Sequence, residues 1–560
     1  MRHHDSRIRS WLASIALVVS AAAVLHLGAA QQAASAPGRT PQAASVAAKA
    51  QPSSPATAKL QPPAQAGAKT PQHAQSVGRL LIRNAMVVYG NAKPAYGPTD
   101  ILVQDGLIAK VGRMSPRDPA PDAVIDATGK YVLPGLINAH MHLQDERGGV
   151  PQPLQYEMNL YLASGVTTVR DVGSDWAKSK QWRAESNAHT MVAPRMLIYS
   201  TIWMSKGMKP AQIPEGVRFA KAEGVDGLKL FGMDRDQAEA VLGEAHKQGM
   251  RTAVHIAVEE TNAKDYAELD VTSIEHFYGV ADAALDGIQH FAPDHNAANE
   301  IHRFGRAGEL YLQPNLNREK LSDVLDLMIN HNVTWCPTMD AYIASRDLIR
   351  AQNVPWLKDY LHPTLEEYWK PGLEKHGSYF FGWTHTQEVR WQKDVQVWMG
   401  LLREFSNKGG VITVGDDAGF IYNLYGFGYV RELELMEEAG FEPLEVIKHA
   451  TVNGAKVLGM EDRLGRIREG YIADLIVVNG NPLDNLRVLN PYGVDIVTLN
   501  GQPVSNYAPL VPGDKNIKVV HGGGIEWTIK DGVPYHVPTL MKETKEMVAQ
   551  ARAALAKKGK

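Results

Sequence analysis

Residues 132–142 read VLPGLINAHMH, and the reading of this stretch decides the fold. An aliphatic run broken by Pro134 and Gly135 has strand character, and it ends on His140 and His142. Two residues apart on an extended strand, the two imidazoles share a face. Alone, a His-x-His carries little weight. Four more runs repeat the pattern: DGLKLFG at 226–232, TAVHI at 252–256, SIEHF at 273–277 and VITVGDDAG at 411–419. They set Lys229, His255, His276 and Asp417 at or near the ends of their own apolar runs. Imidazole and carboxylate groups at successive strand ends are what a divalent metal site on a barrel rim requires.

Together with SGVTTVRDVG at 164–173 and GRIREGYIADLIVV at 465–478, these stretches resemble the amidohydrolase superfamily over roughly residues 79–500. The resemblance is to its secreted imidazolonepropionase-like and prolidase-like members. It implies an α/β fold: a TIM-type (β/α)8 barrel with a small β-sandwich built from segments on both sides of the barrel. It also implies a role for each residue above. His140 and His142 close the first barrel strand, and Lys229 on the fourth becomes a carbamate by reaction with carbon dioxide. His255 and His276 follow on the fifth and sixth strands, and Asp417 on the eighth completes the site.

Composition sets the frame. A chain of 560 residues is long for one compact core and calls for two or more domains. With 58 basic against 61 acidic side chains there is no case for a nucleic-acid partner. Cys336 is the only cysteine, which excludes an intramolecular disulfide and any thiolate metal cluster. It lies in the apolar run VTWCPT and reads as a buried structural thiol. Any metal must therefore be held by nitrogen and oxygen.

Residues 1–30 read as a signal peptide: Arg2, Arg7 and Arg9 precede an apolar stretch from Trp11 to Leu27, and Gly28-Ala29-Ala30 offers a cleavage site. A secreted or periplasmic enzyme follows, without stable membrane insertion once the signal is removed. Residues 31–77, rich in Ala, Gln, Pro and Ser and free of acids, read as a disordered linker. From there the β-rich blocks 78–132 and 461–536 are assigned to the sandwich, and 133–460 to the barrel. The barrel strands are expected to begin at Leu133, Thr167, Arg195, Gly227, Thr252, Thr272, Val333 and Val411. Residues 537–560 read as a terminal helix on the sandwich. A long aromatic-rich insert at 339–410 falls after the seventh strand, where a TIM barrel places its active-site mouth. Most of its aromatics are read as the insert's own core.

The chemistry implied by the resemblance is amide (C–N) hydrolysis by a hydroxide bridging two divalent metal ions. Zinc is the first choice for such ligands, with manganese, iron or cobalt as alternatives. His140, His142 and Asp417 would grip one ion and His255 and His276 the other. Lys229, which as an ammonium has no lone pair, would bridge both as a carbamate. Asp417 would act as base and then acid. The doublet Asp416-Asp417 leaves two carboxylates, of which Asp417 holds the family's position. Tyr278, two residues beyond His276, is a candidate oxyanion donor and substrate contact. Arg170 reads either as a structural partner of Asp171 or as a substrate-carboxylate contact. Tyr422 is a candidate for the pocket wall.

The substrate expected is a small molecule or short peptide: a dipeptide or N-acyl amino acid, in a prolidase- or carboxypeptidase-like reaction. Two other readings stay open. One is a mononuclear cyclic amidine or lactam hydrolase with Lys229 as a free amine; the other is a non-catalytic binding relative. Homo-oligomerisation is also left open.

Overall fold

A computed structural model describes residues 69–558, apart from 203–208, 257–259, 373–378, 381, 420 and 505–509. The stretches read as a signal peptide (1–30) and, up to residue 68, as a linker lie outside the described residues.

Eight parallel strands form the barrel sheet: Leu136–Met141, Val166–Asp171, Arg195–Ile202, Gly227–Phe231, Arg251–His255, Ser273–Glu275, Thr334–Cys336 and Val411–Ile412. We call them the first to eighth barrel strands. Backbone bonds from Ala139 N to Val414 O (2.9 Å) and from Asp417 N to His140 O (3.0 Å) join the eighth strand's end to the first. Every residue of the first and second strands is buried, as a parallel sheet covered on both faces demands. The covering helices show the matching stripe. In Arg235–Lys247 the buried Ala238, Val241, Leu242 and Ala245 recur at helical spacing. In Arg318–Asn330 the side chain of Asn317 caps the first turn by accepting from Glu319 N and Lys320 N.

Seven strand starts fall within one residue of the sequence reading; the first does not. Leu133 belongs to the strand Tyr131–Pro134, which pairs antiparallel with Leu475–Val478 in the β domain. The chain changes sheets at Gly135, where a Cβ would meet the Thr167 hydroxyl at 2.2 Å. An unbroken apolar run hides this boundary because both halves are buried.

The β domain draws strands from both sides of the barrel. Arg79–Val87, Tyr96–Gln104, Leu107–Val111, Ala123–Asp126 and Tyr131–Pro134 share one sheet with Leu475–Val478, Ile525–Lys530 and Val533–His536. Leu80, Ile82, Val103, Ile125, Val477 and Trp527 belong to one apolar cluster in it. Three departures from the sequence reading concern this region. Val494–Leu499 does not join that sheet but pairs with Gln502–Pro503 and Ile517–Gly522 in a separate one. The ordered chain starts before residue 78: Val124 N bonds to Lys69 O (3.0 Å) and Ala74 N to Pro534 O (2.8 Å), so the last linker residues lie along the sheet. The terminal helix Val537–Lys558 packs on the first barrel helix Leu154–Ala163 as well as on the β domain. Arg552 Nη2 also reaches the insert at Leu361 O (3.1 Å).

The insert is helical, with Asp340–Arg346, Leu348–Gln352, Leu357–Tyr360, Pro363–Tyr368 and the long His385–Asn407. Trp369, Trp391, Trp398, Tyr379 and Phe380 are buried, so they are the insert's core. No helix among the described residues is long and apolar enough to cross a membrane.

Candidate active site

The ends of the first, fourth, fifth, sixth and eighth barrel strands meet at one mouth, and their polar residues converge there. The ring centroids of His140 and His276 are 4.7 Å apart, and those of His255 and His276 are 4.6 Å apart. His142 lies edge-on to His140 at 5.6 Å. Asp417 faces this group, with Oδ1 at 3.1 Å from His142 Nε2 and 3.9 Å from His140 Nε2. Its Oδ2 stands 4.0 Å from His276 Nε2. His140, His142 and Asp417 can thus offer three ligand atoms to one ion. Asp417 Oδ1 is buried without a hydrogen-bond partner, an acceptor left for a cation to satisfy. The donor set fits a divalent cation.

Asp417, not Asp416, faces the imidazoles. Asp416 points inward, where Oδ1 accepts from Asn138 Nδ2 (2.7 Å) and Tyr161 Oη (3.2 Å). Burial pushes its carboxyl up to about 7. For Asp417, burial acts upward too, but His140, His142 and Lys229 outweigh it and hold the carboxyl well below the usual range. The eighth strand ends at Ile412, so the two carboxylates are not oriented by strand alternation. Asp417 owes its orientation to a left-handed backbone, with φ of 46°. His276 (64°) and Thr338 (48°) share that conformation, so three non-glycine residues at this mouth carry backbone strain.

Lys229 is 1% exposed on the fourth strand. Among the described residues its Nζ makes no hydrogen bond or ion pair, and it lies 5.7 Å from the centroid of the Phe231 ring. Burial, the largest influence, lowers the ammonium to about 8. His140, His255 and His276 are likewise driven well below the ordinary imidazole value, first by burial, and stay neutral. Neutral imidazole is the ligating form.

Two residues that orient the imidazoles escape the sequence reading. Glu275 Oε2 lies 2.6 Å from His140 Nδ1, and Thr338 Oγ1 lies 2.6 Å from His276 Nδ1. Each ties up the outer nitrogen and leaves Nε2 toward the mouth. Arg170 is corrected on both counts. Its guanidinium donates to Glu275 Oε1 (2.7 Å) and Ser273 Oγ (2.9 Å) and to Ala139 O, rather than pairing with Asp171. At 0% exposure inside the barrel, it has no access to a substrate carboxylate. Cys336 lies near His140 and Glu275, but burial holds its thiol protonated, which makes it a poor ligand.

Tyr278 stands beside the histidines, its ring 5.3 Å from His255. Burial pushes its hydroxyl up to about 12, so it is a proton donor at neutral pH. Tyr422 sits farther out, against Trp369 (5.3 Å) and Phe380 (6.0 Å) of the insert.

The chain belongs to the amidohydrolase family, whose model matches residues 131–504. A 5-methylthioadenosine/S-adenosylhomocysteine deaminase of Pyrococcus furiosus is 24% identical over 420 residues, spanning 71% of this chain and 86% of the deaminase. A D-hydantoinase of Geobacillus stearothermophilus is 30% identical over 170 residues, 30% of this chain and 35% of that enzyme. Among solved structures, a Xaa-Pro dipeptidase with bound methionine has 20% identity and a TM-score of 0.55, covering 82% of this chain and all of the dipeptidase (100%). A. niger ochratoxinase has 14% identity and a TM-score of 0.54, covering 83% and 97%. The structural likenesses establish the shared fold. The protein is a hydrolase of the amidohydrolase superfamily.

Proposed function

We propose that the protein is a binuclear, metal-dependent hydrolase of the amide bond in dipeptides or N-acyl amino acids. The observation that carries this reading is Lys229, a buried amine without a hydrogen-bond partner among neutral imidazoles. Burial outweighs the pull of Glu275 and Asp417 on this ammonium, and an amine lowered to about 8 has a free-base fraction that can react. Attack of Nζ on carbon dioxide with loss of a proton replaces the cation with an anionic, two-oxygen group. His140, His142 and Asp417 would hold one ion, His255 and His276 a second, and the Lys229 carbamate both.

Divalent ions bound there supply Lewis acidity and a water acidified toward neutral pH, with zinc, manganese, iron or cobalt all suited to the donors. Asp417, whose carboxyl is ionised, accepts the proton of the attacking water and returns it to the departing nitrogen. The Tyr278 hydroxyl donates to the oxyanion that develops on the substrate carbonyl. Tyr342 brings the insert to the mouth, its ring 5.9 Å from that of His276. Export by the N-terminal segment, and so a periplasmic or extracellular site of action, belongs to the same reading.

A substrate panel tests it: Xaa-Pro and other dipeptides and N-acyl amino acids against hydantoin, dihydroorotate and 5-methylthioadenosine. Turnover of the linear amides, abolished in Asp417→Asn, is the expected result. Turnover confined to the cyclic amides or the nucleoside would overturn the substrate class.

A further inference from the structure

A cavity of about 600 Å³ lies between the insert helices and the start of the helix Phe427–Glu438, and the hydrolytic reading leaves it without a role. Its apolar wall is built on Trp356 and Phe427, whose rings stack 5.1 Å apart with planes 8° from parallel. Ile343 and Val354 extend that surface.

Arg350, Arg431 and Arg487 line the same cavity. One carboxylate oxygen, Glu434 Oε2, serves two of them, at 2.8 Å from Arg431 Nη1 and 3.2 Å from Arg487 Nη2. Among the described residues Arg350 makes no ion pair, and neither does Asp347 on the same wall. Arg431 is the largest influence on Arg350 and pushes its guanidinium down, against the opposing pull of Asp347 and Glu434 on the same wall, so three guanidiniums face two carboxylates here. Asp340 does not redress the balance, because burial and the neighbouring Glu432 hold it protonated. Cationic forks beside a stacked aromatic wall offer an anionic head and an apolar body their separate partners.

We propose that this cavity is a second ligand site, which binds an amphipathic organic anion. A carboxylate or phosphate head pairs with Arg350 and Arg487, and an apolar body lies on Trp356 and Phe427. None of the clustered histidines lines this cavity, although Tyr422 does, and Asn423 on its wall donates to Asp416 O at 2.8 Å, next to Asp417.

Calorimetric titration of the metal-loaded enzyme with octanoate, octyl phosphate and uncharged octanamide tests this. Octanoate or octyl phosphate is expected to bind about tenfold or more tighter than octanamide, the worth of one charge-assisted contact. The double variant Arg350→Ala/Arg487→Ala should lose that preference while keeping hydrolytic activity, which shows that it folds. His255→Asn should keep it. Equal binding of octanamide would overturn the proposal. So would loss of anion binding in His255→Asn with retention in the arginine variant, since the probe would then be at the catalytic mouth.

Discussion

Glu275 bridges His140 and Arg170. One carboxylate oxygen meets His140 Nδ1 at 2.6 Å and the other meets Arg170 Nη2 at 2.7 Å, with all three side chains at most 1% exposed. Burial acts to raise the Glu275 carboxyl, but Arg170 and Lys229 outweigh it, and the group is held below its ordinary value as an anion. An anion on Nδ1 fixes the tautomer that turns the Nε2 lone pair toward Asp417.

Glu275→Gln is therefore predicted to weaken metal binding by about 10- to 100-fold, measured by competition with a chromophoric chelator. It should also lower unfolding stability by about 3–5 kcal/mol, because Arg170 stays buried without a counter-ion. Adding Arg170→Met should recover much of the stability and none of the metal affinity. Recovery of both would mean that Glu275 acts only as a structural anion.

The two adjacent carboxylates should separate cleanly. Asp417→Asn removes the group facing the imidazoles and is expected to reduce kcat by about 10²- to 10⁴-fold, the usual worth of a positioned acid–base group. Asp416→Asn, with its side chain on Asn138 and Tyr161, should stay within about tenfold of the parent, since it acts only through a neighbour. Equal losses would place both in the chemistry.

Asp394 gives a pH prediction away from the site. It is fully buried in the helix His385–Asn407, with Oδ1 accepting Tyr311 N at 2.7 Å and Oδ2 without a partner. Burial raises its carboxyl from 3.8 to about 8. The folded state thus keeps a proton that the unfolded chain releases, and stability falls as pH rises from about 4 to about 8, then levels off. The slope from this group is at most about 1.4 kcal/mol per pH unit. Asp394→Asn should flatten that part of the Tm-against-pH curve. Parallel curves for the two proteins would contradict the assignment.

Cys336 should be chemically silent in the folded enzyme. It is 0% exposed and its thiol is pushed well up by burial. Iodoacetamide is expected to leave native protein unmodified over hours and to alkylate it fully in denaturant. Rapid native alkylation would show an opening of the barrel interior.

Much of this architecture was legible in the sequence, for a physical reason. Parallel strands buried on both faces read as continuous apolar runs, so His140, His255, His276 and Asp417 stand out against them. The same continuity conceals the change of sheet at Gly135. Glu275 was hidden differently: it lies in the quoted run SIEHF, but its partners are 135 residues away at His140 and 105 away at Arg170. Thr338, 62 residues from His276, is a small polar side chain with no periodicity to mark it. Arg170 looked like a partner for Asp171 because they are neighbours, yet adjacent strand residues face opposite ways. Asp and His enter the left-handed region more readily than most side chains, but too rarely for that backbone to be read at Asp417 or His276 from the sequence.

The proposed function stands or falls with Lys229 as part of a binuclear metal site. Metal content per chain, measured on enzyme purified without chelator and on Lys229→Ala, tests it most directly. About two divalent ions per parent chain are expected, with loss of at least one in the variant. A single ion in both proteins would contradict it and leave Lys229 as a free amine.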